Sequence, residues 1–537
     1  MKGLYPNKRE MPDWIGHDVE MKFLNFRRKN LKDPIMAMQD MNDQVQARLA
    51  KLAKFKEMGV EAYPHKFNRT HDSKVLKENK EALMASGEEV AFAGRVVRFN
   101  RKGKMCFMHL KDRYGRLQVV VARDEVGEEN YEIVKMTDLG DFIGVNGFMF
   151  ETQTGEYSVH VKKVTMLSKA VRPLPVAKEK VDENGNKVVF NEFADVDTRY
   201  RQRYIDMALN DDVKDVFIKR FKILQAIREY LIEKGFIEVE TPTLQPIYGG
   251  ANARPFTTHH NACDMTLYLR VAPELYLKRC IVGGMEKVFE FSKNFRNEGM
   301  DRTHSPEFTG LEFYEAYADY NDMMVHFENI YERACIAANG TTKIDYQGKE
   351  IDFKAPWPRY SMIEAIEKFG GLKVNEMSDD EIKNKMEELG GHLDGEFSRG
   401  RGILELFELT VEDKLIQPTF IKDMPTESTP LCKKHRTIEG LIEQFEPYAN
   451  GWELGNAYTE LNDPIRQREL LEDQVRRGRG GEGETHPMDE NFMHAIESGL
   501  PPTGGVGFGI DRMVMLLTNQ QTIRDVQLFP LMKPENC

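Results

Sequence analysis

At 537 residues and 41% hydrophobic content the chain is too long for one ordinary core, so two or three folded domains are expected. No apolar run approaches the roughly 18 to 20 uncharged residues of a membrane span, Met1 to Glu10 lacks a signal-peptide core, and the six scattered cysteines form neither a C-x-x-C pair nor a zinc spacing, which predicts a cytoplasmic, soluble protein with reduced thiols and no membrane partner. The formal charge of −12 is uneven, with 25 Lys or Arg against 15 Asp or Glu in residues 1–120, so the basic end either suits a phosphate-rich partner or is solvated surface, while the remainder is acidic.

The first forty residues have weak periodicity, and Met41 is a candidate natural start. Val45, Leu49, Leu52, Ala53 and Phe55 trace a short amphipathic helix ending near Gly59. From Glu89 the pattern becomes alternation: Val90 to Val96, Cys106 to Leu110, Leu117 to Val121, Ile143 to Phe150 and Tyr157 to Val164. Those short strands, joined by turns at Asp112 to Gly115 and Thr154 to Glu156, hide their edges economically as a small closed barrel of the oligonucleotide-binding (OB) type; a sandwich fragment is the alternative.

Between Ser168 and Tyr204 the chain turns polar, with an Asp182 to Asn186 turn, and reads as a linker. Phe217, Phe221, Leu224, Ile227 and Leu231 then recur at helical spacing, the helix stops at Gly235, and Phe236 to Thr241 continue as a strand closed by Pro242. Strands at Leu267 to Val271, Val288 to Phe291 and Leu311 to Tyr317, with few βαβ repeats, predict an α+β fold built on an antiparallel sheet. The expected domains are an extension with its helix at 1–85, the barrel at 86–170, a linker at 171–205, and a larger domain at 206–537 carrying a mainly helical, polar insertion at about 320–445.

Chemistry concentrates in three places. Arg296, Glu298, Arg302, Thr303, His304 and Phe308 fall within one hairpin's reach, where arginine forks suit phosphates, Phe308 suits a purine ring and Glu298 suits adenine's exocyclic amine; a salt-bridged hairpin is the plain alternative. Gly507-Phe508-Gly509-Ile510-Asp511-Arg512 aims a further arginine from a glycine-rich strand, with neither the Gly-Lys-Ser/Thr of a P-loop nor the context of a dinucleotide fingerprint. Glu453 and Glu460 are suitable ligands for Mg2+, but their odd spacing demands a break, for which Gly455 is a candidate, and a solvated pair is the alternative. On the barrel, Phe107 is placed either to stack on a base or to fill the core, and Gln118 to read a base edge.

These segments together resemble the class II aminoacyl-tRNA synthetases and, within them, the lysyl-tRNA synthetases of the bacterial type, from about Met41 to the C-terminus. Gly235 to Pro242 looks like motif one, Phe295 to Phe308 like motif two and Gly507 to Arg512 like motif three, in the family's order and spacing. The resemblance implies lysine activation by ATP, transfer to the 3' end of tRNA(Lys), Mg2+, and a homodimer across motif one. It implies Arg296 and Arg512 as catalytic residues. It further implies Gly250, Glu274, Arg296, Glu312, Tyr314 and Asn462 around lysine; Arg296, Glu298, Arg302, Thr303, His304, Phe308, Glu453 and Arg512 around ATP; and Phe107 and Gln118 at the anticodon. Asn100 falls where the family often has an arginine, so either Arg101 substitutes or that contact is lost. Glu274 and Glu312 argue against an aspartyl or asparaginyl enzyme, the barrel against a protein-lysylating paralogue, and Arg296, Glu453, Glu460 and Arg512 against a non-catalytic relative.

Overall fold

In a computed structural model describing residues 43–175, 178–181, 187–190, 193–393, 396–479 and 487–535, the periodicity around Val45 forms helix α1 (Asp43–Glu57), which buries Val45 and Phe55. Residues 1–42, including Met41, and the Asp182 to Asn186 turn lie outside the described residues. Two compact units follow the chain, residues 1–192 and 193–537. Among the described residues no helix is long and apolar enough to cross a membrane.

In the first unit, the five alternating segments fold as β1 (Glu89–Lys102), β2 (Met105–Lys111), β3 (Arg116–Ala122), β4 (Phe142–Glu151) and β5 (Tyr157–Ser168), closed in the order β1-β2-β3-β5-β4. Alternation decides the faces: Cys106, Met108 and Leu110 fill the interior, while Phe107 and His109 point outward. Helix α2 (Arg123–Met136), which the strand pattern did not announce, packs against β3 and β5 and buries Tyr131 and Val134.

In the second unit, α3 (Asp211–Glu233) ends before Gly235, whose φ of +85° suits a residue without a side chain. Its buried face is rotated from the expected one: Val213, Val216, Ile223, Ile227, Tyr230 and Leu231 are buried, whereas Phe221 is 64% exposed. After it come β6 (Ile237–Glu238), α4 (Glu274–Val282), β7 (Lys287–Phe295), β8 (Glu307–Ala316) and α5 (Tyr320–Asn339).

The segment 320–445, expected to be mainly helical, also contributes strands to the main sheet: β9 (Arg359–Ser361), β10 (Thr419–Pro425) and β11 (Leu441–Ala449), with α6 (Arg399–Thr410) between β9 and β10. Six of the seven β10 residues are buried, so this strand has no polar face and no alternation to reveal it. Then follow β12 (Trp452–Glu453), β13 (Gly455–Thr459), β14 (Thr503–Gly509) and α7 (Ile510–Leu517). The sheet runs β9-β10-β11-β13-β14-β8-β7-β6, with β12 paired to β11; β6 runs parallel to β7 and β9 parallel to β10, and the other pairs are antiparallel.

Beneath the sheet, Phe508 stacks on Phe327 of α5 with ring centroids 4.0 Å apart, and Tyr331, Trp357, Phe420 and Phe445 continue the aromatic layer. Such close packing gives the opposite face of the sheet a stiff floor.

Candidate active site

Along β8 the two-residue period sends Leu311 and Phe313 into the core and Glu312 and Tyr314 into a cavity of about 450 Å³. Glu312 Oε2 accepts a hydrogen bond from Tyr314 Oη at 3.0 Å. Burial, reinforced by the neighbouring Glu274, pushes the Glu312 carboxyl up to about 8. Glu274 and Glu460 line the same end. Between them lies Lys278, fully buried, donating to Glu274 Oε1 at 2.7 Å and touching Glu460 Oε2. Burial would lower the Lys278 ammonium, but its two acid neighbours outweigh that and hold it above its ordinary range.

The backbone makes room for this acid end. Gly250 has φ +89°, and a Cβ there would stand 2.9 Å from the Glu274 Cβ. On β14, which pairs Gly505 with Tyr314, a Cβ at Gly505 would meet Glu460 Oε1 at 2.1 Å and Tyr314 Cε1 at 2.4 Å.

The other end is cationic. Arg512 Nη1 donates to the Glu453 carbonyl at 2.8 Å, and Nη2 donates to His304 Nε2 at 3.0 Å. That bond leaves His304 Nδ1 to donate to Asp301 Oδ2 at 2.7 Å. Burial would raise the Asp301 carboxyl, yet the Thr303 and His304 backbone N–H groups and the imidazole hold it at about 2. Arg296 lies over the Phe308 ring at 5.1 Å, and its buried Nε has no hydrogen-bond partner. Asp511, at the start of α7, accepts from Arg220 of α3 at 2.6 Å and from the Thr309 backbone at 2.8 Å, tying the arginine-bearing helix to β8.

Of the expected site residues, Gly250, Glu274, Arg296, Glu298, Thr303, His304, Phe308, Glu312, Tyr314, Glu453, Glu460 and Arg512 all line this cavity. Arg302 does not; it is exposed and donates to Gln521 at 3.4 Å. Asn462 also falls outside: its Oδ1 accepts from Lys433 at 2.8 Å and its Nδ2 donates to the Leu500 carbonyl at 3.1 Å. The strand ends at Thr459, so the parity that brings Glu460 inward does not extend two residues further.

Glu453 and Glu460 both reach the cavity because the chain breaks at Leu454 between β12 and β13. They stand at different ends, Glu453 Oε2 at 3.9 Å from Arg512 and Glu460 against Lys278. Among the described residues no group of three or more His, Cys, Asp or Glu side chains is arranged to hold a metal ion by itself. Lys278 was not foreseen as a site residue, although its spacing of four from Glu274 on a helix was a legible signal.

On the barrel, Phe107 and Asn100 are register partners and share the outer face. Gln118 is nearly buried, donating to Glu156 Oε2 at 2.6 Å and accepting from Ser158 Oγ at 2.9 Å; His109 Nε2 is 3.0 Å from the other Glu156 oxygen. Glu156, Ser158 and His109 were not anticipated, because the pairing of β3 with β5 brings them together. Arg101 pairs with Cys106 and lies over Phe99 at 5.3 Å, so alternation sets it off the face that carries Phe107.

Residues 195–533 match the family described as tRNA synthetases class II (D, K and N), and residues 90–167 match the OB-fold nucleic acid binding domain. The chain is 48% identical over 508 residues to the lysine–tRNA ligase of Porphyromonas gingivalis strain W83, covering 93% of this chain and 87% of that one. It is 48% identical over 501 residues to the lysine–tRNA ligase of Clostridium novyi, covering 92% and 95% respectively. Over 505 residues it is 48% identical to that of Clostridium perfringens strain 13, covering 93% and 98%. Matches of this extent, spanning both the barrel and the sheet that carries the cavity, mean that the chain belongs to the lysine–tRNA ligase family of class II tRNA synthetases.

Proposed function

We infer that the chain is an ATP-dependent ligase that activates L-lysine, releasing pyrophosphate, and then transfers the lysyl group to the 3' end of tRNA(Lys). The observation that carries the reading is one cavity with a buried acid end and an arginine end, the polarity that a cationic amino acid and a nucleotide require side by side. Glu274 takes the α-ammonium and Glu312, with Tyr314, the side-chain ammonium. Arg296 grips the substrate carboxylate and the α-phosphate. Phe308 covers the purine, Glu298 accepts from its amine, and Arg512, with Thr303 and His304, faces the outer phosphates, with Arg302 at the rim.

The lysine carboxylate attacks the α-phosphate in line, and the terminal ribose hydroxyl of the tRNA then displaces the nucleotide. No side chain need become covalently attached. Catalysis is positioning plus charge stabilisation by preset guanidinium groups. For Mg2+ the expected pair fits only by half: Glu453, beside Arg512, supplies hard oxygen donors at the nucleotide end, whereas Glu460 stands at the other end against Lys278. With one carboxylate of the pair to hold it, the ion would arrive with the nucleotide, and when bound it would neutralise and orient phosphate charge.

Phe107 stacks on an anticodon uridine, and Gln118 reads its edge with the N–H and the lone pair that Glu156 and Ser158 leave free. The exposed apolar Ile218, Phe221, Ile232 and Ile237 around α3 and β6 support a homodimer. A pyrophosphate-exchange screen across all twenty amino acids tests the assignment. Lysine is expected to support exchange; exchange driven by aspartate or asparagine in its place refutes the reading.

A further inference from the structure

We propose that Asp301 is a positioning residue for the nucleotide: by accepting from His304 Nδ1 it keeps the His304 Nε2 lone pair bare, and that lone pair holds the Arg512 guanidinium preset for the outer phosphates. The proposal rests on the reading above that Arg512 and His304 face those phosphates, and it adds what fixes the arginine before the nucleotide arrives.

Arginine can only donate, so the Arg512 Nη2 contact at 3.0 Å obliges His304 Nε2 to accept. A neutral imidazole that accepts at Nε2 must carry its proton on Nδ1. That proton has a receiver. Asp301 Oδ2 lies 2.7 Å from Nδ1, while Oδ1 accepts from the backbone N–H groups of Thr303 at 2.7 Å and His304 at 2.8 Å. The Thr303 hydroxyl donates to Oδ1 at 3.2 Å and turns a lone pair toward Nδ1 at the same distance, which supports the same tautomer.

One carboxylate thus has two tasks: Oδ1 shapes the turn that carries the imidazole, and Oδ2 selects its tautomer. Burial works against its charge, but the Thr303 backbone N–H, the imidazole and the His304 backbone N–H hold the carboxyl at about 2, so it remains an acceptor throughout the neutral range. Arg512 Nη1 donates in turn to the Glu453 carbonyl at 2.8 Å. The guanidinium is therefore gripped from two sides, with its remaining N–H groups left to meet phosphate oxygens. A group aimed in advance needs no reorganisation as charge builds on the departing pyrophosphate. With the proton on Nε2 instead, donor would face donor and the grip on Nη2 would be lost.

The test uses the full-length enzyme carrying Asp301→Asn, read by lysine-dependent ATP–pyrophosphate exchange. Asparagine keeps an oxygen for the Thr303 and His304 backbone, preserving the turn, but it turns a donor toward Nδ1 and so drives the proton to Nε2. The KM for ATP is expected to rise by about tenfold to a hundredfold, with calorimetric lysine binding unchanged; weakening of both together is general damage and overturns the proposal. In the His304→Ala enzyme the same substitution is expected to change the KM for ATP by less than about twofold. An equal penalty with and without the imidazole overturns the proposal, because the turn alone would then matter. Histidine-selective nitrogen-15 spectra in alkaline buffer, with His304 assigned by its absence from His304→Ala, should place the proton on Nδ1 in the unsubstituted enzyme and on Nε2 in Asp301→Asn; a proton that stays in place also overturns it. Should Arg512→Ala leave ATP use intact, the functional reading itself is wrong; should Arg512→Ala impair it while Asp301→Asn matches the parent, this inference alone fails.

Discussion

Replacing Glu312 with Gln removes the carboxylate that a bound ammonium would pair with, while keeping the size of the side chain and an oxygen able to accept from Tyr314 Oη, now 3.0 Å away. The substrate ammonium would then enter a buried site with no counter-charge. Deleting one partner of a buried ion pair costs about 3–5 kcal/mol, and each 1.4 kcal/mol is about tenfold. The kcat/KM for lysine in ATP–pyrophosphate exchange should therefore fall by roughly a hundredfold to a few thousandfold.

The fold should not suffer, and pH separates the two effects. Burial raises the Glu312 carboxyl to about 8 in the folded chain. A group raised in this way contributes stability that is present below its unfolded value and is lost as pH rises through the folded one. Between about pH 5 and pH 9 the ligand-free enzyme should lose melting temperature, Glu312→Gln should lose less, and saturating lysine should protect the former at pH 9 more than the variant. A less than tenfold change in exchange, or a variant that melts below the parent at pH 9, refutes the placement of the ammonium at Glu312.

Arg512→Ala should lower exchange by about a hundredfold to a thousandfold yet leave calorimetric lysine binding unchanged, because its guanidinium serves the opposite end of the cavity; weakened lysine binding contradicts that division. Gly505→Ala puts a methyl 2.1 Å from Glu460 Oε1, so it should destabilise the protein by about 1–3 kcal/mol and raise the KM for lysine; an unchanged melting curve rules out the close approach. Phe107→Ala should weaken tRNA binding by about 1–3 kcal/mol and spare exchange, while Arg101→Ala should do far less; the reverse ranking would restore Arg101 to the anticodon face. Phe221→Asp should convert a dimer to monomer in sedimentation, and a persistent dimer would move the interface away from α3.

Local periodicity made much of the molecule legible from its residues. A two-residue period separates Glu312 and Tyr314 from Leu311 and Phe313, and the same rule divides each barrel strand into an inside and an outside, because side-chain direction along a strand depends on parity alone. The ordered motifs located both ends of the cavity for the same reason: each is short, and its chemistry lies within a few residues. Long-range packing decided the rest. Which stripe of α3 is buried depends on the elements that cover it, so the Phe217 to Leu231 pattern pointed to Phe221 and the fold exposed it. Strand β10 is buried on both sides and shows no period; Asn462 lies past a strand end and turns away to Lys433 and Leu500. Lys278 looks in the chain like any lysine one helical turn from a glutamate. Only the packing of α4 against β7 and β8 and the approach of Glu460 make its charge part of the pocket, since desolvation and ion pairing are set by neighbours far away in sequence.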